Sequence, residues 1–284
     1  MIGQSRDGDI GATASEILRE AVSRLEAAGV AGAERDAQIL LLHVLDQPRH
    51  RLGDLLALPL DTASAARFLD AVAARVARQP VSQIIGRRAF WSHDFVVTRD
   101  TLDPRPETEL LVEVGLEQPF ARVLDLGTGT GAILISLLAE RVLASGLGVD
   151  LSPAALAVAQ ENARRIGVVA EFAVSDWFTA VSGDFDLIVS NPPYIALDEM
   201  PALSPEVREW EPWSALTDHG DGLDAYRRIA AQAAQFLRPG GRVAVEIGHE
   251  QGPAVTALFV DNGFGAVEIR RDLSGKDRVV LAHS

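Results

Sequence analysis

The chain has 284 residues, room for one large domain or two ordinary ones, and with nearly half of them apolar and about a quarter charged it has the composition of a soluble globular protein. A formal charge of −14 argues against a broad footprint for nucleic-acid phosphate. The absence of cysteine excludes disulfides, thiolate metal sites and a cysteine nucleophile, and agrees with a reducing cytoplasm. No apolar run approaches the roughly 18 residues of a membrane span, and Met1 to Thr13 carries neither a secretory nor an organellar pattern. Lys276 is the only lysine among the cations, which reads as coding bias.

Thr13-Ala14-Ser15-Glu16 is a capping-box pattern ahead of Ile17, Leu18, Ala21 and Leu25, which share one helical face. Gly29 closes that helix. Further helices are expected over 34–45, around 52–58 and over 63–78, giving a helical N-terminal domain, 1–78. Gln79-Pro80 breaks the last helix. Gln83-Ile84-Ile85 and Phe95-Val96-Val97 read as β-like runs flanking Gly86-Arg87-Arg88 and Ser92-His93-Asp94, a β-hairpin linker over 79–105. Arg87 and Arg88 stand there either as an exposed hairpin tip or as contacts to a protein substrate. Pro106 suits the first turn of a helix to about 116, with Glu107 and Glu109 at its positive end.

From Ala121 strands and helices alternate. Strands are expected at 123–126, ending at Asp150, at 168–174, 185–190, 242–247, 267–271 and 278–282. Helices are expected at 132–144, 153–165, 223–237 and 252–261. Such alternation predicts a mainly parallel sheet with helices on both faces. The short polar segment 272–277 leaves no room for a helix, so the last two strands pair antiparallel.

The chemistry-bearing stretches fall at strand ends. Asn191-Pro192-Pro193-Tyr194 follows Phe185-Asp186-Leu187-Ile188-Val189-Ser190, and two prolines hold Asn191 and Pro192 extended, so that their carbonyls and the Asn191 amide project from the sheet edge. Read blandly, this is a proline-rich turn. Asp125-Leu126-Gly127-Thr128-Gly129-Thr130-Gly131 lies between a strand and a helix; it matches neither G-x-G-x-x-G nor a P-loop, and its leading acid favours a positively charged ligand over phosphate. Asp150 ends the next strand, where a carboxylate can take two ribose hydroxyls. Ser175-Asp176-Trp177 ends the third, offering a carboxylate and a ring for stacking. An acid in such a place is often a helix cap, and a tryptophan is often core; four strand ends carrying suitable groups together are harder to explain that way. The six histidines are scattered without ligand spacing, so no metal is expected, and Asp218, Asp221 and Asp224 read as a turn before a capped helix.

These residues resemble class I S-adenosylmethionine-dependent methyltransferases, in the acid before Gly-x-Gly-x-Gly, in Asp150 and in Asn191-Pro192-Pro193-Tyr194. Within that class the chain is similar almost throughout to the HemK/PrmC family of release-factor glutamine N5-methyltransferases. Pro104-Arg105-Pro106-Glu107-Thr108-Glu109 is the most specific run, with Glu211-Pro212, Gly220-Asp221-Gly222-Leu223, Tyr226-Arg227, Pro239-Gly240-Gly241 and Glu246-Ile247-Gly248. Gln83 and Asp103 depart from the family pattern. The resemblance implies a Rossmann-like methyltransferase domain over 106–284 and a substrate-docking role for the helical domain. It implies S-adenosyl-L-methionine held by Gly127, Thr128, Gly129, Thr130, Gly131, Asp150, Trp177 and Asn191, with Asp125 and Asp176 as further contacts. Substrate glutamine falls to Asn191, Pro192, Pro193 and Tyr194, of which Asn191, Pro192 and Tyr194 serve the chemistry. The implied partners are class I peptide chain release factors in the cytoplasm.

Two other readings stand beside this one. An amino-methyltransferase acting on a base in nucleic acid would use the same Asn-Pro-Pro-Tyr, although the acidic charge and the lack of a basic, aromatic-interleaved stretch weigh against it. A catalytically silent methyltransferase fold would serve as a binding module; the intact loop and Asn191 weigh against that.

Overall fold

The computed structural model describes residues 12–284; the expectations for Met1 to Gly11, including the start of the helical domain and most of the leader reading, lie outside the described residues. The chain divides into two compact units, one ending at Ile85 and the other covering Gly86–Ser284.

The first unit packs α1 (Ala14–Ala27), α2 (Ala33–Val44), α3 (Leu52–Leu55), α4 (Thr62–Val76) and α5 (Val81–Ile85). α1 starts on the expected capping box: Thr13 Oγ1 accepts from the Glu16 N–H at 3.4 Å, and the Glu16 carboxylate accepts from the Thr13 N–H at 2.8 Å. Leu18, Ala21 and Leu25 meet Leu40, Leu41, Phe68 and Val72 in one apolar cluster. α5 corrects the expected strand at Gln83-Ile84-Ile85. A β-branched run invites that reading, but Val81, Ile84 and Ile85 are spaced i, i+3, i+4 and all pack on the helical cluster. The Ile84 N–H reaches the Pro80 carbonyl at 3.1 Å, so Pro80 leads into α5, while α4 has already ended at Val76.

The second unit opens with an antiparallel hairpin, β1 (Arg87–Phe90) and β2 (His93–Val96). Its turn is Trp91-Ser92, with Trp91 at φ +53°, so Arg87 and Arg88 are strand residues and not the tip. Arg88 is tied inward, its Nε donating to the Pro104 carbonyl at 3.1 Å and its guanidinium 3.9 Å from the buried Asp103. A 3-10 turn, Pro106–Thr108, leads into α6 (Glu109–Leu116).

The chain then runs β3 (Arg122–Leu126), α7 (Ala132–Glu140), β4 (Ser145–Asp150), α8 (Pro153–Ile166), β5 (Glu171–Val174) and β6 (Phe185–Ser190). After α9 (Pro205–Trp210) come α10 (Asp224–Gln232), β7 (Leu237–Glu246), α11 (Gly252–Asp261), β8 (Ala266–Arg271) and β9 (Asp277–His283). Seven strands form one sheet in the order β5-β4-β3-β6-β7-β9-β8. All pairs from β5 to β7 are parallel, and β9 runs antiparallel to both β7 and β8. The last two strands pair as expected; that β9 inserts between β7 and β8 is new.

β3 and β6 are buried on both faces, and apart from Asp125 and Ser190 their buried positions are apolar. Leu124, Leu126, Ile188, Val243 and Val245 face α10 and α11, while Val123, Leu187, Val189 and Ala244 face α6 and α7. Chain order runs outward from β3 to β5 and returns at β6 beside β3. Strand order therefore reverses between β3 and β6, and an open sheet binds ligands in the crevice outside the carboxyl ends at that reversal.

Candidate functional site

A cavity of about 510 Å³ lies at that crevice, within the range of small-molecule sites. Its wall includes Gly127–Thr130 after β3, Asp150 and Leu151 after β4, Ser175–Trp177 after β5, and Asn191 and Pro193 after β6. The structure thus brings the four strand ends picked out in the sequence to one place. Gly131 lies just behind as the N-cap of α7, and neither Pro192, which is buried, nor Tyr194 forms part of the wall.

The glycine loop is built from its own strand neighbours. The Gly127 and Thr128 N–H groups both donate to the Val149 carbonyl, at 2.8 and 2.9 Å, and the Gly129 N–H donates to Asp150 Oδ2 at 2.9 Å. Gly127 and Gly129 have φ of +71° and +54°, and a Cβ on either would meet no protein atom within 4 Å, so their backbone lies bare to an approaching ligand. Beneath the loop, Thr128 donates to Asp125 Oδ2 at 2.7 Å. Asp125 is fully buried, is absent from the cavity wall, and burial pushes its carboxyl up to about 7 with Asp150 adding repulsion. Its place is under the loop, which corrects its expected role as a ligand contact: low-dielectric surroundings suit a carboxyl that orders Thr128 better than one that meets a cation. Asp176 does reach the wall.

Asp150 has both oxygens engaged, Oδ1 accepting from the Ser152 N–H and Oδ2 from the Gly129 N–H, each at 2.9 Å. Each oxygen keeps a second lone pair for a ligand hydroxyl. Trp177 stands at φ +52°, an uncommon conformation for a bulky residue that calls for an external restraint. The buried Ser175 supplies it, donating to the Trp177 carbonyl at 2.7 Å and accepting from the Ala180 N–H at 3.0 Å.

Asn191 is oriented from the distant Pro-Arg-Pro-Glu-Thr-Glu run: its Nδ2 donates to Thr108 Oγ1 at 3.2 Å. Buried Ser190, which precedes Asn191, is itself anchored by donating to the Leu126 carbonyl at 2.7 Å. The Tyr194 carbonyl accepts from Gln251 Nε2 at 2.9 Å, and burial raises its phenol pKa above the ordinary value. Gly222 closes the same corner, since a Cβ there would collide with the Tyr194 carbonyl oxygen. Asp218 accepts from the N–H groups of Gly220, Gly222 and Asp224 at 2.7–3.1 Å, the turn-and-cap role expected of it.

Arg105 lines the cavity and grips the buried Glu211 through both carboxylate oxygens, at 2.7 and 2.6 Å. Burial pushes Glu211 up to about 7, with Arg105 opposing. Pro212, Ser214 and Ala215, which follow Glu211 in the chain, also line the cavity. Sequence reading named Thr108 only as part of the Pro-Arg-Pro-Glu-Thr-Glu run and missed Gln251, Asn162 and Leu151. Asn162, fully buried in α8, donates to the Val96 and Thr130 carbonyls at 3.1 and 2.9 Å and accepts from the Val96 N–H at 2.7 Å, so it pins the loop to the hairpin. Leu151 is an apolar residue 66 % exposed at the cavity rim beside Asp150, where a ring could lie.

The Methyltransferase small domain family matches residues 87–202, and the PrmC N-terminal domain family matches residues 16–86. A release factor glutamine methyltransferase of Cereibacter sphaeroides is 58 % identical to this chain, over 95 % of it and 98 % of the relative. Another of the same name, from Rhodospirillum rubrum, is 48 % identical over 94 % of this chain and 83 % of its own. Among solved structures, a methyltransferase from Pyrococcus furiosus superposes with a TM-score of 0.53 at 17 % identity, covering 78 % of this chain and 98 % of that one, a likeness of fold alone.

Proposed function

We propose, because this chain belongs to the release factor glutamine methyltransferase family, that it moves a methyl group from S-adenosylmethionine to the side-chain amide nitrogen (N5) of the glutamine in the Gly-Gly-Gln motif of class I release factors. One observation carries the reading: Asn191 stands at the reversal of strand order, on the wall of a cavity that also holds the glycine loop and Asp150, with its amide group oriented by Thr108. An enzyme acting on release factors would work in the cytoplasm. No helix among the described residues is long and apolar enough to cross a membrane.

The residues present suit this cofactor. Bare glycine backbone admits close approach, Asp150 retains lone pairs for ribose hydroxyls, and Trp177 and Leu151 offer apolar faces to a base. We assign the cofactor to Gly127, Thr128, Gly129, Thr130, Gly131, Asp150 and Trp177. When bound, S-adenosylmethionine supplies an electrophilic methyl on a sulfonium.

The difficulty lies with the acceptor. A carboxamide nitrogen is a poor nucleophile, its lone pair being delocalised as in a peptide bond with a rotation barrier of ~18–20 kcal/mol. Prior deprotonation needs a much stronger base than any carboxylate in the cavity. Positioning is the cheaper route. The Asn191 side-chain oxygen and the Pro192 carbonyl accept the two amide hydrogens, aim the nitrogen, and stabilise the positive charge that develops on it. Pro193 brings no N–H that would compete for those acceptors. After transfer the nitrogen is acidic, and water takes the proton.

Asn191→Ala tests this. Removing one preorganised polar group from a charge-developing site costs about 10²–10³ in kcat, so turnover should fall by that order while cofactor affinity, by calorimetry, changes far less. Equal activity in the variant would sink the proposal.

A further inference from the structure

A tryptophan beside the cavity has no part in the mechanism above. Trp213 opens a single 3-10 turn, Trp213–Ala215, and lies in the chain between Pro212 and Ser214, both of which line the cavity. Trp213 is not itself part of the wall, and it is 46 % exposed. Neighbouring Cα atoms are only about 3.8 Å apart, so its place is at the edge of that wall.

An exposed apolar residue alone means little. Trp213 differs in being held still. Its Nε1–H donates to the Arg208 carbonyl in α9 at 3.0 Å, and its ring stacks on His219 with centroids 6.5 Å apart and planes at 27°. Its backbone is fixed as well. The Trp213 carbonyl accepts from the N–H groups of Leu216 and Thr217, both buried, at 3.0 Å each. Two residues earlier, Glu211 is gripped by Arg105. Bracing of the turn accounts for the N–H and for the contact with His219; it does not account for the ring area left in water beside the cavity. A ring already immobilised loses little freedom when a partner covers it, and tryptophan is among the residues that most often carry the energy of a protein contact.

The acceptor glutamine arrives on the backbone of another protein, and that backbone must pass the residues at the cavity's edge. In Gly-Gly-Gln the two residues ahead of the acceptor have no Cβ, so a ring can lie directly on their peptide planes, whereas a side chain there would hold the ring off. We propose that Trp213 is a specificity-determining residue of the acceptor site: its exposed ring packs on the backbone of the two glycines ahead of the acceptor glutamine. This deepens, and rests on, the reading that the Gly-Gly-Gln motif of a release factor is the substrate.

The test is steady-state methylation of a full-length class I release factor, beside the same factor with alanine in place of the glycine next to the acceptor glutamine. With Trp213→Ala, KM for the unaltered factor should rise about tenfold or more, while kcat and the calorimetric affinity for S-adenosylmethionine stay within about twofold. Trp213→Phe, which keeps a ring, should retain most of the wild-type kcat/KM. The wild type should prefer the unaltered factor over the alanine factor in kcat/KM, and Trp213→Ala should lose most of that preference, because the added methyl no longer meets a ring.

A wild-type KM in Trp213→Ala overturns the assignment, and so does a preference between the two factors as large as the wild type's. An equal loss on both factors together with lost cofactor affinity overturns it too, since that marks bracing of the wall and not contact with the acceptor. If the wild type places no methyl on the glutamine of the unaltered factor, the functional reading falls and the role of Trp213 with it; if it does and Trp213→Ala keeps both KM and preference, the role of Trp213 alone falls.

Discussion

Asp150 and Asp125 are two carboxylates bonded to the same loop, through Gly129 and Thr128, and their surroundings give them different work. Asp150 borders the cavity with each oxygen already on a backbone N–H. A hydrogen bond to a charged group contributes about 1.5–3 kcal/mol, so Asp150→Ala should weaken S-adenosylmethionine binding about ten- to a hundredfold by calorimetry. Unchanged affinity would remove Asp150 from the proposed cofactor set. Asp125 is sealed under Thr128, with burial raising its pKa from 3.8 to about 7. Below about 3.8 the group is neutral in both folded and unfolded chains. Between about 3.8 and 7 the unfolded chain has released a proton that the folded chain keeps, so the folded state loses stability as pH rises, and the loss is complete above about 7. Asp125→Asn should flatten that slope: denaturant midpoints at pH 5 and pH 8 should differ less in the variant than in the wild type. A slope as steep as the wild type's would mean that Asp125 is ionised throughout.

Among the elements, those held by local signals were the most legible. The capping box of α1, the proline-led start of α8, and β6 with its abrupt proline stop all lie where residue patterns put them. Elements whose limits depend on tertiary contacts were less so. α7 stops at Glu140, four residues short of the expected end, and β5 begins at Glu171, three residues later than expected. α5 went unseen because its packing surface, and not its β-branched composition, decides its period. At the site, the glycine loop, Asp150, Trp177 and Asn191 could be picked out because strand-end chemistry is local. Thr108, named only as part of the Pro-Arg-Pro-Glu-Thr-Glu run, and Asn162 were given no role at the site, because each bonds a residue 32 to 83 positions away that only the folded sheet brings near. Asn162 is the clearest case. Asn162→Ala would leave the part-buried Val96 N–H and carbonyl and the buried Thr130 carbonyl without that partner, costing about 3 kcal/mol. The denaturant midpoint should drop accordingly; a shift under about 0.5 kcal/mol would mean that other partners or water replace it.

For the whole molecule, every residue of the cavity wall belongs to the unit Gly86–Ser284. That unit has apolar clusters on both faces of its sheet, while the helical unit has a cluster of its own. Docking of the release factor by the helical unit is our proposal, and it assigns recognition and chemistry to separate parts of the chain. The net charge of −14 fits a protein acceptor better than a nucleic-acid one. The most direct measurement is peptide mapping by mass spectrometry after the protein meets S-adenosylmethionine and a class I release factor, beside the same factor with its Gly-Gly-Gln glutamine changed and beside mixed DNA and RNA. The account predicts one added methyl, on that glutamine and nowhere else. Methyl on nucleic acid, or on the release factor lacking the glutamine, would contradict it.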